Sequence, residues 1–211
     1  MLDNWGDHMK NIFNYLPEEA EIGVGLAIKK DDHYIFFIAG DRHNCFEGEL
    51  FYAGVGGHLE KEETLIECGQ REAKEEIGII PDIITSNKTK YISKDGNIKE
   101  INIKNNIKPL AIYEMIHPDR TPKAGNLYHI VIFRANLKET PNNLKKDEVR
   151  GLIALTKEQV IQGKKQKMKL GKLKDEGAKI ITGAENIDNE TKLYPIGTAK
   201  ALAEIFLLNE R

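Results

Sequence analysis

Apolar and polar positions alternate in short blocks along most of the chain, and the blocks change period once. Residues 21–29 (EIGVGLAIK) and 33–39 (HYIFFIA) are rich in β-branched and aromatic side chains, with the turn formers Lys30, Asp31 and Asp32 between them. This pattern predicts two strands joined by a tight turn. Residues 49–55 (ELFYAGV) predict a third, followed by a glycine loop at Gly54, Gly56 and Gly57. The period then shifts. Over 62–77, Ile66, Gly69, Ala73 and Ile77 recur at spacings of three and four, which predicts a helix with a narrow apolar stripe. Gly78 stops it and Pro81 follows.

Strand-like runs resume at 79–84, 109–117, 127–136 and 149–155. The polar stretch 86–107 predicts a hairpin or loop, and Pro118, Asp119, Pro122 and Gly125 a turn. Thr156 reads as a helix N-cap, with Gln159 three residues on completing a capping box. Residues 164–174 hold six lysines, and 195–208 predict a closing amphipathic helix. Strands, one acidic helix, more strands and late helices favour an α/β fold with helices packed on a mixed sheet. The first twenty residues read as a polar arm.

Composition removes several function classes. The 211 residues suit one domain, and 40% hydrophobic content supplies a sizeable core. Net charge is −2, which gives no global attraction to nucleic acid or to an anionic membrane. No apolar run approaches a membrane span, and the acid-bearing start (MLDNWGDHMK) does not resemble a secretory signal. Cys45 and Cys68 form no CxxC pair, so neither a disulfide framework nor a cysteine zinc site follows. The default compartment is the cytoplasm.

The chemistry concentrates in residues 57–79, GHLEKEETLIECGQREAKEEIGI, with seven glutamates against Lys61, Arg71 and Lys74. On a helix, Glu72, Glu75 and Glu76 share one face at i, i+3 and i+4. Carboxylates crowded in this way repel unless a proton or a cation intervenes. Their hard oxygens suit Mg²⁺ or Mn²⁺. A glycine loop precedes the helix, where backbone can approach a phosphate or metal closely. Arg71 stands one turn after Glu67 and two after Glu63, placed to brace the loop against the helix. Cys68 reads as a small core residue. A solvated acidic face is the competing explanation for the glutamates alone.

This segment resembles the Nudix box, G-x5-E-x7-R-E-U-x-E-E-x-G-U, where U is a bulky apolar residue. Gly57, Glu63, Arg71, Glu72, Glu75, Glu76 and Gly78 fill its fixed positions, and Ala73 and Ile79 its apolar ones. FYAGVGGHLE leading into the box and EVRGLIALTKEQ later in the chain are also similar to Nudix sequences. The resemblance covers residues 20–162, leaving an N-terminal arm (1–19) and a C-terminal extension (163–211).

What the resemblance implies is a Nudix-type α/β/α sandwich with a mixed β-sheet, and metal-dependent hydrolysis of a nucleoside diphosphate linked to another group. By position, Glu72, Glu75, Glu76 and the Gly56 carbonyl would hold Mg²⁺ or Mn²⁺. Gly57, Glu63, Arg71 and Gly78 would be structural. Glu75 or Glu76 would take the proton from the attacking water, with Glu148 as a further candidate from a later loop. His58 and His117 are candidates for phosphate contact; a solvated or structural histidine is the alternative for each. The partner would be a small-molecule nucleotide, not a membrane or a nucleic acid, and homodimer formation stays open.

Substrate class is read by subtraction among family branches. Val55-Gly56-Gly57 before the box is a variant seen in mutator-type triphosphate hydrolases. The ADP-ribose branch's proline is missing from 93–96, and the diadenosine polyphosphate branch's tyrosine from 96–98. A MutT-like (deoxy)nucleoside triphosphate pyrophosphohydrolase leads. An ADP-ribose or nucleotide-sugar pyrophosphatase is the alternative. A non-catalytic nucleotide sensor is the reading of another class, and an RNA 5′-end hydrolase using the lysine run is a minor one.

Overall fold

The computed structural model describes residues 10–117 and 123–210. In chain order the elements are β1 (Glu21–Lys30), β2 (His33–Ala39), β3 (Glu49–Ala53), β4 (Gly56–His58), α1 (Leu65–Ile77), β5 (Asp82–Ile84), β6 (Thr89–Ile92) and β7 (Ile98–Ile101). Then come β8 (Ala111–Ile116), β9 (Leu127–Asn136), β10 (Val149–Thr156), α2 (Lys157–Lys165), β11 (Met168–Lys169), α3 (Leu170–Asp175), β12 (Lys179–Thr182), β13 (Lys192–Pro195) and α4 (Gly197–Leu208). A 3-10 turn, Ile12–Tyr15, precedes β1. The expected turn residues Pro118, Asp119 and Pro122 lie outside the described residues.

The strands form one mixed sheet, and β1 is its hub. β1 runs parallel to β9 over its length, while β2 and β4 pair antiparallel to it. β10 lies antiparallel to β2. Both faces of this centre are covered, which is why its strands read as nearly continuous apolar runs. Successive side chains point to opposite faces. In β9, Tyr128, Ile130 and Ile132 pack into the core shared with α2, α3 and α4. Val131, Phe133 and Ala135 pack into the core shared with α1. The result is the α/β/α layering expected from the sequence.

Two segments are more integrated than the sequence pattern suggests. The stretch expected to be a polar arm buries Ile12 and Leu16 in the core on the α1 side. Beyond residue 162, β13 joins the main sheet parallel to β3, with Leu193 opposite Leu50. Among the described residues, no helix is long and apolar enough to cross a membrane.

Candidate active site

Helix α1 begins at Leu65, three residues later than its glutamates suggest. Glu62 takes a left-handed backbone conformation (φ 66°), which ends the preceding turn. Thr64 then caps the helix: the Glu67 N–H donates to Thr64 Oγ1 at 3.2 Å, and the Thr64 N–H donates to Glu67 Oε2 at 2.9 Å. Such caps contribute about 1 kcal/mol. Glu67 is therefore occupied by the cap and does not brace Arg71, contrary to the spacing argument. The apolar stripe is also rotated slightly. Leu65 and Cys68 are buried with Gly69, Ala73 and Ile77, while Ile66 is only half-buried. Gly78 closes the helix in the left-handed region.

Arg71 ties this helix to the loop before it. Its Nε and Nη2 donate to the two Glu63 oxygens at 2.8 and 3.1 Å. Nη1 donates to Glu72 Oε1 at 2.9 Å, and Nη2 also reaches the His58 carbonyl at 3.1 Å. The bidentate fork suits Arg and not Lys. The bond from Arg71 holds the Glu63 carboxyl below its ordinary range. Cys68 packs beneath, fully buried, with Sγ 3.4 Å from the His58 carbonyl. Burial first, then Glu63 and Glu72, push its thiol up to about 12, so it stays protonated.

The three box carboxylates sit in graded environments. Glu76 is 5% exposed, Glu72 is largely buried, and Glu75 is half-exposed. Burial pushes the Glu76 carboxyl up to about 8; Glu72 and Glu75 add to the rise, against the Gly56 N–H and Lys145. The loop is pressed onto this cluster. The Gly56 N–H donates to Glu76 Oε2 at 3.0 Å. A Cβ at Gly57 would lie 2.3 Å from Glu72 Oε1, so glycine makes the room that the carboxylate occupies. Gly56 has φ 146°, and a Cβ there would meet the Val24 carbonyl at 2.0 Å. Only glycine fits both conditions.

A buried carboxylate beside two others is costly unless a proton or cation neutralises it. The donor set is all oxygen, with backbone close by, and so fits a hard divalent cation. The structure thus brings together Gly56, Gly57, Glu63, Arg71, Glu72, Glu75 and Glu76.

Glu148 lies on a different segment, just before β10. It is paired with Arg42, and with Lys145 at 3.0 Å. The same Lys145 donates its backbone N–H to the Glu76 carbonyl at 3.0 Å, and so joins Glu148 to α1. Lys145 was missed by sequence reading, because nothing local in 137–148 indicates contact with α1. His58 and His117 do meet, but at Glu21 and not at the box carboxylates.

A family model, the NUDIX domain, matches residues 21–175. The chain belongs to the Nudix family. Hydrolysis of nucleoside diphosphate-linked substrates is this Nudix hydrolase's chemistry, and divalent cations serve such enzymes generally. Among solved structures, it is similar to the Escherichia coli ORF135 protein at 12% identity, covering 93% of this chain and 94% of that one with a TM-score of 0.49. It is also similar to a NUDIX family hydrolase from Clostridium perfringens (16% identity, 67% and 83% covered, TM-score 0.44). A third is the MutT protein from Methanosarcina mazei Go1 (12% identity, 92% and 99% covered, TM-score 0.46). No curated protein matches the chain.

Proposed function

We propose that this Nudix hydrolase cleaves a (deoxy)nucleoside triphosphate to the monophosphate and pyrophosphate. The glycine pair pressed against Glu76 and Glu72, with Glu75 on the same helix, is the observation that supports catalysis. The variant Val55-Gly56-Gly57 and the missing ADP-ribose and diadenosine markers support the triphosphate.

Glu72, Glu75, Glu76 and the Gly56 carbonyl would hold Mg²⁺ or Mn²⁺. When bound, such a cation neutralises phosphate charge and polarises the phosphoryl oxygen. The chain's own residues do the rest. Arg71 and Glu63 fix the loop–helix joint, so that the attacking and leaving oxygens can be held in line. Glu75 and Glu76 are assigned the removal of a proton from the attacking water. Glu148 would serve only once its ion pairs with Arg42 and Lys145 open. The free cysteines Cys45 and Cys68 fit the reducing cytoplasm.

The test is a nucleotide panel with Mg²⁺, products resolved by chromatography, and a chelator control. Monophosphate plus pyrophosphate from a triphosphate is expected. Monophosphate plus a sugar phosphate from a nucleotide sugar, with triphosphates untouched, would assign the nucleotide-sugar class instead. Binding without turnover on any nucleotide, with Mg²⁺ or Mn²⁺, would make the protein a sensor.

A further inference from the structure

We propose that Glu21, His58 and His117 form a second metal site, one that takes a transition-metal ion such as Zn²⁺ and is separate from the α1 carboxylates. Sheet register builds it. Gly23 of β1 pairs with His58 of β4, and Glu21 lies two residues along the same face of β1. On the other edge, Glu21 pairs with Tyr128 of β9, which pairs with Met115 of β8. His117 follows just past the end of β8. Residues 96 positions apart therefore converge at one corner of the sheet.

Both imidazoles present Nε2 to one carboxylate. His58 Nε2 is 2.6 Å from Glu21 Oε1, and His117 Nε2 is 3.5 Å from Glu21 Oε2. One ligand atom from each residue lies within 4.8 Å of the others. The two rings are held nearly parallel, at 8°, each against the Tyr128 ring at 4.9 and 5.0 Å. A second observation is independent of this clustering. The His117 side chain is only 10% exposed, and among the described residues its buried Nε2 has no hydrogen-bond partner. A buried polar nitrogen that faces a carboxylate without hydrogen-bonding it is costly, and it points at a ligand between them.

The ligand type follows from the donors. Two imidazoles and one carboxylate suit Zn²⁺ and its neighbours, whereas the all-oxygen set on α1 suits Mg²⁺ or Mn²⁺. Ligand bonds of about 2.0–2.2 Å set tetrahedral donors roughly 3.4 Å apart, so His58 Nε2 would draw back from its 2.6 Å contact with Glu21 to admit the ion. His58, exposed at the surface, has room to make that movement. Three protein ligands leave a fourth position open. Lys123 competes for the carboxylate: its half-exposed Nζ is 2.6 Å from Glu21 Oε1. A bound ion would displace it. The ion would also fasten β4 to β8 as well as to β1, beside the His58 carbonyl that receives Arg71.

The test is titration of the metal-stripped, tag-free full chain with Zn²⁺ alone, in the wild type and in Glu72→Gln/Glu76→Gln. Zinc binding at about one ion per chain is expected to survive in the double variant. His58→Ala and His117→Ala should each weaken it roughly tenfold or more, and Lys123→Met should tighten it. His58 is exposed, so its truncation gives a clean reading even if His117→Ala fails to fold. Equal zinc affinity in His58→Ala and wild type would overturn the site. So would loss of zinc in Glu72→Gln/Glu76→Gln alone, which would make the α1 carboxylates the zinc ligands.

Discussion

The backbone N–H of Gly56 donates to the buried carboxylate of Glu76 at 3.0 Å, joining the loop that opens the box to the helix that ends it. This one bond places the start of β4 against the most buried acid of α1. Without a cation, the folded state therefore favours a proton on Glu76.

That proton predicts a pH signature. Glu76 titrates near 8 when folded without metal, against about 4.3 for an unfolded glutamate. The folded state keeps a proton that the unfolded chain has released. Stability from this group is complete below the unfolded value and is lost as pH rises through the folded one. In chelator, the Tm of Glu76→Gln should match wild type near pH 4 to 5 and exceed it increasingly toward pH 8. A Tm difference independent of pH would contradict the buried, proton-retaining carboxyl.

Arg71→Ala removes the fork on Glu63 and the bonds to Glu72 and the His58 carbonyl. A loss of about 1–3 kcal/mol in stability is expected, together with lower kcat. Arg71→Lys should restore little of either, because an ammonium cannot span both Glu63 oxygens. Thermal melts and turnover at wild-type levels in Arg71→Ala would refute the bracing role.

The two loop glycines should behave differently. At Gly57 a new Cβ meets the far end of the Glu72 side chain, which can move. Gly57→Ala should stay folded, within about 1 kcal/mol, yet need more Mg²⁺ for half-maximal turnover. At Gly56 the Cβ meets the Val24 carbonyl in a backbone conformation suited to glycine. Gly56→Ala should lose stability outright. Equal melts for the two variants would contradict these positions.

The lysine run is a surface. All six of its lysines are exposed, and such ion pairs as Lys164 with Glu204 contribute little in solvent. Changing Lys165, Lys172 and Lys174 to Gln should leave kcat/KM on the best mononucleotide within about twofold. A large fall with the fold intact would make this segment part of the substrate site. Deletion of 164–174 is a different matter, because Met168, Leu170 and Leu173 are buried within it and would leave the core open.

Local chemistry was legible in the sequence, and long-range pairing was not. The shared face of Glu72, Glu75 and Glu76, the Thr156–Gln159 cap and the strand at 127–136 all follow from periods and spacings within one element. The Arg71–Glu63 fork followed from box spacing, but Glu67 was misassigned because Thr64 claims it three residues away. Ile12 in the core, β13 beside β3 and Lys145 against Glu76 depend on contacts that no local pattern encodes. The Glu21–His58–His117 corner is the same case, since it exists only through the register of β1, β4, β8 and β9.

The most direct test of the catalytic account is kcat of Glu76→Gln on the best nucleotide of the panel, with Mg²⁺ saturating for wild type. The substitution keeps size and helix propensity and removes one charge. A fall of about a hundredfold or more is expected, with an apo Tm no lower than wild type at neutral pH. Near-normal kcat in a folded Glu76→Gln protein would contradict it, however completely the box is filled.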